Sequence, residues 1–284
     1  MALNLDHLVG YQRGSFNRAS FWRNWSLTAQ FIVALPGVLS IFVLDSNTIY
    51  GLAIVGFILL IVAILLDRTY QHHRSAGEAA RRATLIIDGL NYRPTAEEKD
   101  ALADQLSLNS EKAASLNLTD YFATTEAAGP ARLLEMIEES AFFTRYLHMR
   151  SAWFMGTVFA LTLMIVIIIV LSIIPSNATN INMVVARIVI ALLVFLLSSG
   201  SLASFSGHTA AWSDAKSIQS RARLAKVRGA SLNDALLIMA DYNSAVEKAP
   251  LVVPMVHSLL SGKLNDRWSD YIKARQADAA GAKS

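Results

Sequence analysis

The sequence predicts an all-α membrane protein: four transmembrane helices set as two hairpins, with a helical cytoplasmic middle segment and a helical C-terminal tail. Three observations carry that prediction. Of the 284 residues 54% are hydrophobic and only 17% charged, a balance too apolar for a soluble chain of this length. Four stretches, residues 26–44, 49–66, 154–174 and 181–205, are long and apolar enough to cross a hydrocarbon core about 30 Å thick. Lys and Arg are also partitioned: three precede the first stretch, ten lie between the second and third, and eleven follow the fourth. The connections 45–48 and 175–182 carry none.

Because Lys and Arg are retained on the cytoplasmic side, both termini and the middle segment are expected in the cytoplasm. The chain then divides into a cytoplasmic N-terminal segment (1–25), a first transmembrane hairpin (26–66), a cytoplasmic helical region (67–150), a second hairpin (151–205) and a cytoplasmic helical tail (206–284). The first apolar stretch lacks a small-residue cleavage site and leads within a few residues into another apolar run, so it is expected to be retained rather than removed as a signal peptide. Within it, Pro36 followed by Gly37 predicts a kink, because Pro removes one backbone hydrogen bond.

The second span is expected to continue as a helix over 68–90, with Gly89 near its end. The run RPTAEEKDAL opens a new helix with Thr95 as N-cap and Glu98 three residues on, a capping box. Residues 133–155, LLEMIEESAFFTRYLHMRSAWFM, form the shaft that enters the third span. Phe142, Tyr146, Met149 and Trp153 recur there at four, three and four residues and make one stripe. Such a stripe packs on a neighbouring helix, and rings at its membrane end suit the interfacial belt. In the tail, residues 214–227 continue the fourth span, Ser231 caps a new helix with Asp234 at its third position, PLVVP (250–254) breaks it, and a final helix from about Met255 carries Trp268 and Tyr271.

The chemistry is sparse. The chain has no Cys, which excludes disulfides, thiolate catalysis and thiolate zinc sites. The P-loop, dinucleotide, HExxH and GxSxG signatures are absent, and neither catalytic nor metal-binding residues are assigned. His72 and His73 are adjacent and point about 100° apart on a helix, which suits a solvated pair better than one metal. Glu135, Glu138 and Glu139 could serve a di-metal or acid–base pair, and equally a solvated helix face. The pI near 9.2 comes with no recognition motif for a nucleic-acid polymer.

Two groups of residues remain as sites. Arg132, Arg145, His148 and Arg150 would suit an anionic ligand such as a phosphate, for which Arg offers planar bidentate donors; a solvated ion-pair surface is the alternative. In the fourth span, Arg187 either snorkels to the outer headgroups or lines a pore. Ser199, Ala203 and Gly207 lie on one face at four-residue spacing, with hydroxyls at Ser198, Ser201, Ser204 and Ser206 around them. Small residues so spaced let helices approach closely, either within one chain or around a conduit made by several.

The order of hairpin, cytoplasmic helices, hairpin and helical tail, with the runs RRATLIIDGLNYRP, DYFATTEAAGPARLLEMIEESAFFTRYLH and LLIMADYNSAVEKAPLVVPMVHSLLSGKLNDRW, resembles the SMODS-associated four-transmembrane effectors, which are related to the SLATT membrane proteins of bacterial conflict systems. The resemblance implies a non-enzymatic, homo-oligomeric effector of the bacterial inner membrane, acting in CBASS-type antiphage signalling. It would have no cofactor. A cyclic oligonucleotide from a neighbouring synthase would be its activating ligand and the lipid bilayer its target, opened by a pore or otherwise disrupted. The resemblance assigns no ligand residues, so those named above rest on charge and location. A non-enzymatic scaffold or accessory subunit of a membrane complex is the rival reading. For a membrane enzyme acting on lipid, no nucleophile with a base can be assembled.

Overall fold

The computed structural model describes residues 3–40, 43, 45–173 and 201–281. Among them the chain forms eight α-helices and no strand, so the all-α class holds. After a 3-10 turn (Leu5–His7) come α1 (Leu8–Leu39), α2 (Ser46–Leu90), α3 (Ala96–Gln105), α4 (Ser110–Leu116), α5 (Pro130–Ile173), α6 (Ser201–Val227), α7 (Leu232–Lys248) and α8 (Pro254–Gly281).

Local rules account for many of the helix starts. Asp45 accepts from the Thr48 backbone N–H to begin α2, and Asn91, in the left-handed conformation, ends it. The capping box at Thr95 and Glu98 forms as expected, as does the Ser231 cap with Asp234. The unforeseen helix is the first part of α1: Leu8, Tyr11, Ser15 and Ala19 recur at three- and four-residue spacing and are all buried. α1 passes without interruption through residue 25 and continues beyond Pro36. The boundaries drawn at residues 66 and 150 likewise fall inside α2 and α5.

Among the described residues one helix, α2, is long and apolar enough to cross a membrane. The first and third expected spans occupy the C-terminal ends of α1 and α5. Most of residues 181–205, with Arg187, Ser198, Ser199 and the connection 175–182, lies outside the described residues.

These helices change character along their length. In α2, Tyr50, Phe57, Ile58, Ile64 and Leu65 are exposed, whereas Glu78, Arg81 and Thr84 further on are buried. In α5 the sense is reversed: Leu133 to Phe142 pack inside, while Trp153 is 71% exposed and Leu161, Ile165 and Ile168 are exposed with it. α1 also has an exposed apolar end, at Leu27, Ile32, Leu35 and Leu39. Large apolar side chains exposed together at one end of three helices, with charged ones buried at the other end of α2 and α5, invert the distribution that water imposes.

The buried end is a helical bundle. Leu85 of α2, Leu133, Leu134, Met136, Ile137 and Ala141 of α5, Ile218, Ala222 and Ala225 of α6, and Ala235, Ile238, Tyr242 and Val246 of α7 form its core. Ala at one contact in three or four lets the helices approach closely around the larger side chains. A second small core joins Tyr11, Ala80, Leu108 and Ala113. There Gly10 is required by packing: a Cβ on it would lie 1.9 Å from the carbonyl oxygen of Ala113.

Candidate functional site

The three arginines of α1, which the sequence offers only as topology signals, each end on a backbone carbonyl of a different segment. Arg13 donates to Leu116 at 2.8 Å and Arg18 to Ser107 at 2.8 Å. Arg23 donates to Leu251 and, at 3.4 Å, to Val252. The last contact belongs to a collar in which the segment 249–253, between α7 and α8, is grasped by α1, α2, α5 and α6. Arg74 of α2 donates to Glu247 at 2.6 Å and Val246 at 3.4 Å, and to Ala249. These are carbonyls at the C-terminal end of α7, which a helix leaves unpaired and where a cation is favoured. Ser151 of α5 accepts from the backbone N–H of Val253 at 3.3 Å. Gly207 of α6 lies against Pro250, where an added Cβ would come within 2.9 Å of the ring.

The collar sits where the helices change character. Arg23, Ser151 and Gly207 are each within about one helical turn of the end of an expected span, and Arg74 is about two turns from one. At its centre the Nδ1 atoms of His148 (α5) and His208 (α6) are 2.9 Å apart, so one ring donates and the other accepts. Both rings are buried. Burial, then the neighbouring His208, Arg74 and Arg23, push His148 down to about 3; burial and Arg23 push His208 down to about 4. The pair is therefore neutral at pH 7, and that neutrality lets it lie beside two guanidiniums.

The four residues expected to hold an anion are dispersed rather than gathered. Arg132 is fully engaged: it pairs with both carboxylate oxygens of Asp88 at 3.0 and 3.1 Å and donates to the Asp88 and Glu126 carbonyls. Arg150 is exposed, about 27 Å from Arg132 along α5 at 1.5 Å per residue. His148 points into the collar, and Arg145 points away from it, to Gln219 at 3.4 Å. Of the small-residue stripe, the structure describes Ala203 and Gly207. Ala203 is exposed, Gly207 faces the loop at Pro250, and Ser199 lies outside the described residues.

The carboxylates of α5 tie down other segments. Glu135 pairs with Lys226 of α6 and accepts from Thr124. Glu138, 1% exposed, accepts from Tyr271 at 2.6 Å and Arg275 at 2.7 Å, both on α8. Glu139 accepts from the Ala123 N–H at 2.9 Å, and burial raises it to about 7. Among the described residues no group of three or more His, Asp or Glu is placed to hold a metal; His73 instead bonds Ser107 at 3.0 Å.

The aromatic stripe finds its partner in the same tail helix. Phe142 lies 5.1 Å from Trp268 and 5.7 Å from Tyr271 between ring centroids, and Arg267 stacks over Tyr146. Glu138→Ala is expected to cost about 2 kcal/mol, the scale of a lost hydrogen bond to a charged group, and to loosen α8 locally. Faster tryptic cutting at Lys263, Arg267 and Lys273 than in the parent protein would register it; an unchanged cutting rate would leave the aromatic contacts as sufficient.

The collar escapes sequence reasoning because its contacts join residues far apart in the chain. The one local signal is the PLVVP break, which leaves the carbonyls of a helix end in need of donors. Comparison with family models, with curated proteins and with solved structures gives no match to this chain.

Proposed function

We propose that the protein is a four-span effector of the bacterial inner membrane, with both termini cytoplasmic, that forms a pore or disrupts the bilayer when its cytoplasmic bundle senses a signal, a cyclic oligonucleotide on the resemblance above. The single observation that carries this reading is the exposure of apolar residues together at one end of α1, α2 and α5, with charged residues buried at the other end of α2 and α5. Lipid is the solvent that such ends match. The collar supplies the coupling, because the loop 249–253 touches the membrane-proximal parts of α1, α2, α5 and α6 while its own ends lead into the bundle. A ligand acts through it only if it binds the open assembly more tightly than the resting one.

Inducible expression with a membrane-potential dye tests the proposal. Depolarisation is expected only when the neighbouring synthase is active, and a protein that never depolarises cells under those conditions is not this effector. Gly207→Leu, which forces the loop away from α6, is expected to change toxicity at equal expression.

The scaffold reading draws on one observation of its own. Leu224, Val227, Leu232, Leu236 and Leu237 are exposed near the turn between α6 and α7, on the part of the bundle built from the last residues of α6 and the first of α7. A polar substitution there, Leu237→Glu, leaves an autonomous pore intact and weakens a complex that depends on that surface.

A further inference from the structure

Between α5, α6 and α8 there is a niche of about 110 Å³ lined by Arg145, Gln219, Ser220, Arg223 and Tyr271. Its lining contains two guanidiniums, an amide, two hydroxyls and no carboxylate. Among the described residues neither Arg145 nor Arg223 takes part in an ion pair. The Nε of Arg145 is buried without a hydrogen-bond partner, and the bond from its terminal nitrogen to Gln219 is long, 3.4 Å. The nearest carboxylate, Glu138 behind the Tyr271 hydroxyl, is already neutralised by Arg275 at 2.7 Å. Arg223 is exposed and donates to the Tyr271 hydroxyl, whereas Arg81, Arg82, Arg132 and Arg275 each have a carboxylate, of Glu78, Glu247, Asp88 and Glu138.

Two cations converging on one niche repel each other unless an anion joins them, and an unpartnered buried N–H calls for an acceptor. We infer that this niche binds a phosphate group of a soluble phosphate ester, with Arg145 and Arg223 as its charged donors and the Ser220 hydroxyl, turned from the Lys216 carbonyl, as a third. A tetrahedral phosphate offers more acceptor positions than a carboxylate, enough for bidentate bonds from both guanidinium planes and one from a hydroxyl. The niche has room for one phosphate and not for a nucleoside, so the rest of the ligand lies outside it. Arg145 is about 13 Å along α5 from the start of the expected span, beyond a headgroup layer of roughly 5–8 Å. The choice of a soluble ester over a lipid headgroup therefore rests on the membrane placement proposed above; the anion site itself does not. Tyr271 belongs to α8, accepts from Arg223 and donates to Glu138, so an anion that holds Arg223 in the niche fastens the tail helix to the bundle.

The test is titration of the full chain in detergent with inorganic phosphate, read by calorimetry and by tryptic cutting of α8. Saturable binding at millimolar concentration is expected, with α8 protected. Arg145→Gln and Arg223→Gln are each expected to weaken it at least tenfold. Arg150→Gln, outside the niche, leaves it unchanged. Ser220→Ala, which removes one donor and little packing, is expected to weaken it several-fold. Binding that is absent, or that survives both arginine substitutions, overturns the site. Competition by phosphatidylglycerol vesicles for the same arginines overturns the soluble-ligand assignment. Phosphate binding lost in the variants of a protein that never depolarises cells keeps the niche and removes the effector reading.

Discussion

Replacing Arg74 with Met is expected to destabilise the protein by about 3 kcal/mol, the upper range for hydrogen bonds to a charged group, and to detach the 249–253 segment from α2. Met preserves much of the aliphatic stem, so the loss reports the guanidinium and not the packing. That guanidinium donates to three carbonyls at the end of α7 and to the Tyr70 hydroxyl at 3.2 Å. Without it the carbonyls have no cation, and the favourable charge at the helix end is lost as well. Arg23 holds the next carbonyls along the loop, so Arg23→Met and Arg74→Met are expected to be non-additive. Thermal unfolding of the single and double variants in detergent measures this. A double variant whose destabilisation equals the sum of the singles would show two independent clasps and not one collar.

Acidification from pH 7 to pH 5 is expected to destabilise the protein, because the histidine pair refuses protons that an unfolded chain accepts. An unfolded His titrates near 6.5, whereas His148 and His208 are held down to about 3 and about 4. Below about pH 6.5 the unfolded state binds more protons at these two positions, so stability falls as pH falls. The slope approaches about 1.4 kcal/mol per pH unit for each histidine. Loss continues until pH passes about 4 for His208 and about 3 for His148. Glu139 acts in the opposite sense. Burial raises it to about 7, so between that value and the ordinary range near 4.3 the folded state binds the extra proton and stability rises on acidification. Burial also raises Glu78, which acts with Glu139, and lowers His73, which acts with the pair; three histidines against two glutamates leave a net loss. The double variant His148→Gln/His208→Gln removes the larger contribution and is expected to reverse the sign, becoming more stable at pH 5 than at pH 7. An acid response identical to that of the parent protein would place the sensitivity elsewhere.

What the sequence makes legible is whatever short-range rules decide. The capping box at Thr95 and Glu98 and the cap at Ser231 need only three residues of context, and the stripe of Phe142 and Tyr146 needs only the helical period. The same rules locate the break at 250–254 but not its purpose, since Arg74 reaches Glu247 across 173 positions and no periodicity encodes such a contact. The anion site shows the limit from the other side. Charge and location single out Arg145, which lines the niche, but not Arg223, which lines it from a helix that meets α5 only in the fold. Arg132 and Arg150 share its chemistry in the sequence. One is consumed by Asp88 and the other is turned to the outside.

The collar also has an order in time. Arg23 and Arg74 are among the first basic residues to leave the ribosome, and the carbonyls that satisfy them are among the last to be made. The Arg23 contact with Leu251 spans 228 positions, which at about 5–20 residues per second is a wait of roughly 10–45 s. During that interval the apolar ends of α1, α2 and α5 already exist while the piece that fastens them does not. A truncated chain that stops before residue 250 would keep those ends and lack the fastening. Release from restraint, and not loss of function, is then the expected character of nonsense mutations in the tail.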